Sequence, residues 1–201
     1  MSALDFPGPL PVTDAPQERG DAARNRLLLL EAARRLIAER GAEAVTMDEI
    51  AAAAGVGKGT VFRRFGSRAG LMMVLLDEDE RISQQAFLFG PPPLGPDAPP
   101  LVRLLAFGRM RIRFAHDHHA LLSDVGRDPG SRYNAPAMVL HRHVRVLLEQ
   151  AHTTGDLDAQ ADALIALLQA DHVEHQITDL GKTVEQLGDA WESLARKLCG
   201  H

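Results

Sequence analysis

The segment Gly55-Val56-Gly57-Lys58-Gly59-Thr60 sets a lysine among three glycines, a combination that can bring backbone amides and an ammonium group to a phosphate. Two chemistries fit it. One is the nucleotide loop of a phosphotransferase that uses Lys58. The other is a turn followed by a helix that approaches DNA, since the chain continues through Arg63, Arg64 and Arg68 with no acidic residue between 55 and 68. A phosphate loop needs a buried strand ahead of it and a glycine five residues before Gly57. That position is Ala52, and the preceding Thr46-Met47-Asp48-Glu49 has the form of a helix capping box. No succession of strand-like segments follows that could build a parallel sheet.

The elements that would position these residues are short helices. Leu29, Ala33, Leu36 and Ile37 recur at helical spacing within residues 24–40, and Gly41 stands where a left-handed cap belongs. The capping box starts a second helix that runs to about residue 53, and Gly55 permits a tight turn. A third helix over residues 60–65 puts Val61 and Phe65 on one side, with Thr60, Arg63 and Arg64 largely on the other. Two short helices joined by a glycine-containing turn, with a longer one behind, describe a helix-turn-helix. Ser67 can cap a fourth helix from about residue 68 to past residue 81, with Leu71, Val74 and Leu75 inward and the acidic run of residues 77–80 solvated.

Residues 24–72 resemble the DNA-binding domain of the tetracycline-repressor (TetR) family. One register holds Ala32-Ala33, Leu36, Gly41, Thr46, Ile50-Ala51, Ala54-Gly55-Val56, Lys58-Gly59-Thr60, Phe65 and Leu71. The resemblance implies an all-α homodimer with a roughly three-helix reading head and a larger helical domain that binds a small effector. It assigns Thr46 and Met47 to contacts with the DNA backbone, and Lys58, Gly59, Thr60, Phe62, Arg63 and Arg64 to the recognition helix. Lys58, Thr60, Arg63 and Arg64 are the candidate base readers. Arg24, with Arg26, joins the set as a candidate to reach phosphate or the minor groove from the N-terminal side, and Arg68 as a DNA-binding candidate at the start of the fourth helix. The chain departs from the family at four places. Gly57 replaces the usual capping serine, Phe62 the usual tyrosine and Arg68 the usual lysine, while Gly70 weakens the start of the fourth helix.

The bulk properties agree with a helical, two-part chain. The 201 residues are 45% apolar and only 4% aromatic, with Ala and Leu prominent, which favours packed helices over strands. The net charge is -5, yet residues 18–68 hold ten Lys/Arg against seven Asp/Glu, whereas residues 69–201 hold twelve against eighteen. The basic charge is therefore concentrated in the segment expected to read DNA rather than spread over the chain. Cys199 is the only cysteine and excludes an intrachain disulfide. With no apolar run near the N-terminus long enough for a span or signal core, the expectation is a cytoplasmic protein without a membrane partner. Residues 1–20 read as a flexible arm, residues 21–66 as the helix-turn-helix domain, and residues 67–201 as the effector-binding and dimerisation domain.

Beyond the proline-rich residues 90–100, helices are expected over residues 101–116, 120–125, 136–153, 158–178 and 184–198. The last begins at a second capping box, Thr183 to Gln186. Val184, Leu187, Trp191 and Leu194 form a seam along it, and Ala163, Ala166, Leu167 and Ala170 form a small-residue face on the helix before. Either face can pack within the chain; the family resemblance points to a dimer interface. Phe107, Arg111, Phe114 and His118 share a face of the helix expected over residues 101–116, His141 and Val144 lie on that over residues 136–153, and Leu168, Asp171 and His175 continue an apolar stripe on that over residues 158–178. These nine residues are the candidate effector site. Asp171 and His175 also have metal-ligand spacing, but no third ligand is identifiable, so no metal centre is assigned.

The resulting expectation is a sequence-specific transcriptional regulator, a repressor released from operator DNA by a small molecule. No catalytic residues and no cofactor are assigned. The alternatives are a phosphotransferase using the glycine-lysine segment, and a helical interaction protein whose head no longer binds DNA.

Overall fold

Local start and stop signals account for most of the helix boundaries. The computed structural model describes residues 15–42, 44–119, 122 and 135–200. Among the described residues there are nine helices and no strand: α1 (Ala15–Arg40), α2 (Met47–Ala54), α3 (Lys58–Phe65), α4 (Arg68–Phe89), α5 (Pro100–Asp117), α6 (Ala135–Gln150), α7 (Leu157–Ala166), α8 (Ala170–Thr178) and α9 (Val184–Leu198). The chain is all-α. None of these helices is long and apolar enough to cross a membrane. Residues 1–14 of the expected arm and the expected helix over residues 120–125, apart from Leu122, lie outside the described residues.

Helix α1 starts nine residues earlier than periodicity predicts, so residues 15–20 are helical rather than part of an arm. Pro16 does not prevent this, because a proline in the first turn lacks only an amide that has no helical partner there. Both capping boxes form. Thr46 Oγ1 accepts from the Glu49 amide at 3.3 Å while the Thr46 amide donates to Glu49 Oε2 at 2.9 Å. At α9, Thr183 and Gln186 make the same reciprocal pair at 3.2 and 2.9 Å.

The chain divides into two units, residues Met1–Leu71 and Met72–His201. In the first, α1 packs on α2 and α2 on α3. Leu29, Leu30, Ala33, Val45, Ile50, Ala51, Val61 and Phe65 are buried there. The division falls beyond the expected boundary at residue 66 because the first turn of α4 is tied to this unit. Arg68 Nε donates to the Val45 carbonyl at 3.0 Å, and a second guanidinium nitrogen donates to the Ala42 carbonyl. Gly70 lies so close to the Phe65 carbonyl that a Cβ would overlap it. The glycine that weakens the helix start is thus required by packing.

In the second unit α5 is central, packing against α6, α8 and α9, while α7 packs on α6. Its core holds Phe87, Leu104, Phe107, Val144, Leu147, Leu148, Leu164 and Trp191. The single helix expected over residues 158–178 is instead two. Leu167, Leu168 and Gln169 turn by successive bonds to carbonyls three residues back, and extended backbone at Gln169 starts α8. No glycine or proline marks this break. The Gln169 side chain adds a second donor at 3.3 Å to the Ile165 carbonyl, which already accepts from the Leu168 amide at 3.0 Å. The turn allows Leu164, Leu168 and Val173 all to be buried.

Candidate functional site

The helix-turn-helix arises from α2, the left-handed Gly55 at φ 65°, and α3. The Gly55 amide bonds back to the Ala51 and Ala52 carbonyls and closes α2. Val61 and Phe65 fix α3 by burial, which leaves Lys58, Gly59, Phe62, Arg63 and Arg64 exposed and Thr60 half-buried on the remaining surface. Phe62 keeps 48% of its surface accessible, an unusual position for a phenyl ring with no partner to cover it. A helix, α2, precedes Gly55, so the buried strand that a nucleotide phosphate loop requires is absent at that place. The phosphotransferase alternative fails on this point.

The start of α3 is bare, as its sequence predicts. Gly57 occupies the N-cap position with φ -62° and ψ 138° and supplies no side-chain hydrogen bond. Lys58 Nζ pairs with Asp48 Oδ2 at 2.5 Å, both side chains being more than half exposed. Asp48 is not among the expected site residues, although its position in the first turn of α2 is a helix-dipole signal. Thr46 is exposed but its hydroxyl is engaged in the capping box, and it also donates to Glu49 Oε2 at 2.8 Å. Met47 is 6% exposed; its side chain belongs to the core, so only its backbone can face outward. Arg24 is exposed on α1. Arg68 departs from expectation: its guanidinium braces the loop carbonyls of Ala42 and Val45 and is a strut of the head, not a free phosphate donor.

Glu49 joins two elements of this head. Besides capping α2 it accepts from Arg40 NH1 at 2.8 Å, linking the end of α1 to the start of α2. Hydrogen bonds from the Thr46 amide, then the Thr46 hydroxyl, then Arg40 hold the pKa of its carboxyl down to about 2.

The nine expected effector residues do not form one site. Arg111 is 7% exposed and its NH1 donates to Glu80 Oε2 at 2.8 Å, with its guanidinium carbon 4.3 Å from the Phe114 ring centre. Phe114 stacks on His118 at 4.2 Å, and His118 Nε2 lies 3.0 Å from Asp79 Oδ2. Asp79 and Glu80 are therefore partners of α5 rather than part of a solvated run. Phe107 and Val144 are fully buried and Leu168 nearly so, all in the core. His141 faces Asp162 at 3.2 Å. Asp171 and His175 are exposed, and His175 Nδ1 meets Asp179 Oδ2 at 2.6 Å. The break before α8 removes these two from the apolar stripe, which assumed an uninterrupted helix.

The expected dimer seam is corrected at two positions. Trp191 is 1% exposed and its indole Nε1 donates to the Leu104 carbonyl at 3.2 Å, while Leu187 is 9% exposed; both are core residues of the single chain. Ala163 and Ala166 are exposed, and Leu167, Ala170, Val184 and Leu194 are half-buried.

His143 is absent from the expected set. It is 6% exposed, with its ring 4.4 Å from Phe87 and 5.0 Å from Phe107, and its Nε2 has no hydrogen-bond partner among the described residues. Burial, then the charge of Arg103, lowers its pKa to about 4, so the imidazole is neutral near pH 7. It borders a cleft of about 400 Å³ formed by α4, α5 and α6. No sequence signal distinguishes this histidine from its neighbours, since the three helices meet only in the fold.

Comparison with known proteins supplies the context for this arrangement. Residues 29–73 match the family described as bacterial regulatory proteins, tetR family. HTH-type transcriptional regulators of Mycobacterium tuberculosis and Mycobacterium bovis are each 30% identical over 157 residues, covering 75% of this chain and 74% of theirs. Among solved structures, a regulator from Saccharomonospora viridis in complex with choline has a TM-score of 0.64 at 20% identity, covering 84% of this chain and 93% of that one. AibR in complex with isovaleryl coenzyme A and operator DNA has a TM-score of 0.55 at 22% identity, covering 85% and 97%. At these identities the two structures establish a shared fold.

Proposed function

The chain belongs to the tetR family of bacterial regulatory proteins, and from that premise we propose that α3 reads operator DNA and that the second unit receives a small effector that releases it. The observation that carries this reading is the division of α3 into two sides. Val61 and Phe65 are buried while Lys58, Phe62, Arg63 and Arg64 are exposed, so one short helix presents positive charge and an apolar ring together. Such a surface suits a major groove, where arginine can take guanine bidentately and lysine can neutralise phosphate. Thr60 and the α2 start at Thr46 and Met47 are proposed to flank this contact, with Arg24 reaching phosphate from α1.

The protein acts as a homodimer in this proposal, because two recognition helices must meet major grooves about 34 Å apart. Ala163 and Ala166, with the partly exposed Val184 and Leu194, remain the candidate contact. The effector works by preferring one conformation of the second unit over another; equal affinity for both would shift nothing. Helix α4 contributes residues to both units and is the proposed route between them. The role is that of a cytoplasmic repressor, with no catalytic step.

Selection of bound sequences from random duplexes, followed by titration at several salt concentrations, tests the reading. Lys58→Ala/Arg63→Ala should weaken binding and flatten the slope of log affinity against log salt by about one for each lost phosphate contact. Unchanged affinity and slope in the double variant, or no enriched sequence, would refute it. Light scattering tests the dimer, and a monomer at working concentration counts against it.

A further inference from the structure

The cleft beside His143 has a composition that selects a ligand class. Leu88 of α4 and Val139 and Val146 of α6 give it apolar walls, and Arg103 of α5 and Arg142 of α6 bring two positive charges to it. No carboxylate among the described residues lines it. Among the described residues neither arginine makes a salt bridge, whereas Arg109, Arg111 and Arg145 in the same unit all do. Arg103 is partly withdrawn from water and donates to the Leu94 carbonyl, at 3.4 Å. Two guanidinium groups beside an apolar surface without a counter-charge favour an anion.

His143 adds an independent observation. Its ring is more than nine-tenths buried between Phe87 and Phe107, and Nε2 has no partner among the described residues. Buried polar nitrogens are nearly always satisfied, and one left open at the border of a cavity calls for a ligand atom or a water. In the Nε2–H tautomer a neutral imidazole donates a hydrogen bond. The volume of about 400 Å³ lies within the range of roughly 300–1,000 Å³ found for small-molecule sites.

We propose that this cleft is the ligand site of the second unit and that it takes an aliphatic organic acid. The carboxylate is received by Arg103, Arg142 and His143, and the hydrocarbon lies against Leu88, Val139 and Val146. The inference rests on the reading that this unit binds an effector, and it adds the effector's chemical class. A quaternary ammonium carries the wrong sign for this cleft, so the choline of the Saccharomonospora viridis regulator does not transfer to this chain.

The experiment is calorimetric titration of the full chain without DNA, using acetate, hexanoate, octanoate and decanoate as probes. Octan-1-ol and octylamine are the neutral and cationic counterparts. At least one of the longer acids should bind ten or more times more tightly than octanol, and acetate should bind weakly for lack of a hydrocarbon tail. Arg142→Gln should weaken the acid at least tenfold, and Arg142→Glu should reverse the preference between octanoate and octylamine. Arg142 is exposed, so both variants are expected to fold. His143→Phe, which keeps a ring between Phe87 and Phe107, should also weaken the acid. Binding of no acid, equal binding of octanol, or indifference of octanoate to Arg142→Gln would overturn the proposal. DNA release is measured separately. Acid binding with these dependences but no release supports the ligand class and contradicts the effector reading; release by a neutral molecule while no acid binds does the reverse.

Discussion

Trp191 occupies the space that a side chain on Gly108 would need. An ideal Cβ at position 108 would fall inside the indole ring, and the indole Nε1 reaches past it to the Leu104 carbonyl at 3.2 Å. The absence of a side chain is what brings α5 and α9 together here. Arg109 extends the contact at its margin by donating to Asp189 at 2.5 Å and to Glu192.

Gly108→Ala should therefore destabilise the protein even though alanine is the better helix former. Helix propensity favours the change by about 1 kcal/mol, while overpacking in a filled core costs about 1–3 kcal/mol and the overlap with a rigid ring places this site at the upper end. Urea denaturation should show a lower midpoint. A raised midpoint would contradict the packing described.

Glycines 57 and 70 should respond in opposite ways. At Gly57 the backbone is extended and nothing lies within 4 Å of the place a Cβ would take, so Gly57→Ser can supply the missing cap and stabilise α3 by a few tenths of a kcal/mol. Gly70→Ala should destabilise, because its Cβ would strike the Phe65 carbonyl. Amide hydrogen exchange in α3 and thermal melts of the two variants distinguish these effects.

Acid should destabilise the protein in two separate windows. His143 has its pKa lowered to about 4 in the fold, so as pH falls below the ordinary histidine value of 6.5 the unfolded chain takes up the proton first. Stability from this group is lost between about pH 6.5 and 4. The carboxyl of Glu49 is held at about 2, and its contribution is present above the ordinary value of 4.5 and is lost as pH falls towards 2. His143→Phe should lose less stability than wild type between pH 7 and 5, and Glu49→Gln should flatten the lower window. A wild-type midpoint constant from pH 7 to 4.5 would contradict the buried neutral imidazole.

The Arg111–Glu80 pair should be costly to break and cheap to replace. Both side chains are largely buried, so Arg111→Met leaves the Glu80 carboxylate unpaired and should cost about 3 kcal/mol. Arg111→Met/Glu80→Leu removes both charges and should regain most of that loss. Chemical denaturation of the two variants measures the difference; a double variant as unstable as the single one would show that the pair contributes more than mutual neutralisation.

The residues themselves determined the features that depend on neighbours three or four positions away. Thr46 with Glu49, Thr183 with Gln186, Gly41 and Gly55 mark helix ends because capping and left-handed backbone are local chemistry. The same locality made the helix-turn-helix, the bare cap at Gly57 and the two sides of α3 readable. An apolar stripe reveals only that a face is covered, since burial of hydrocarbon has no direction and no preferred partner. Whether α5 or a second chain covers Trp191 was decided by Gly108, 83 positions away in the chain. The helix break at Leu167–Gln169, the partners of Asp79 and Glu80, and the use of Arg68 as a brace likewise follow from how helices meet. His143 illustrates the limit most clearly: its neutrality and its open nitrogen come from Phe87, Phe107 and Arg103, three residues that only tertiary structure brings beside it.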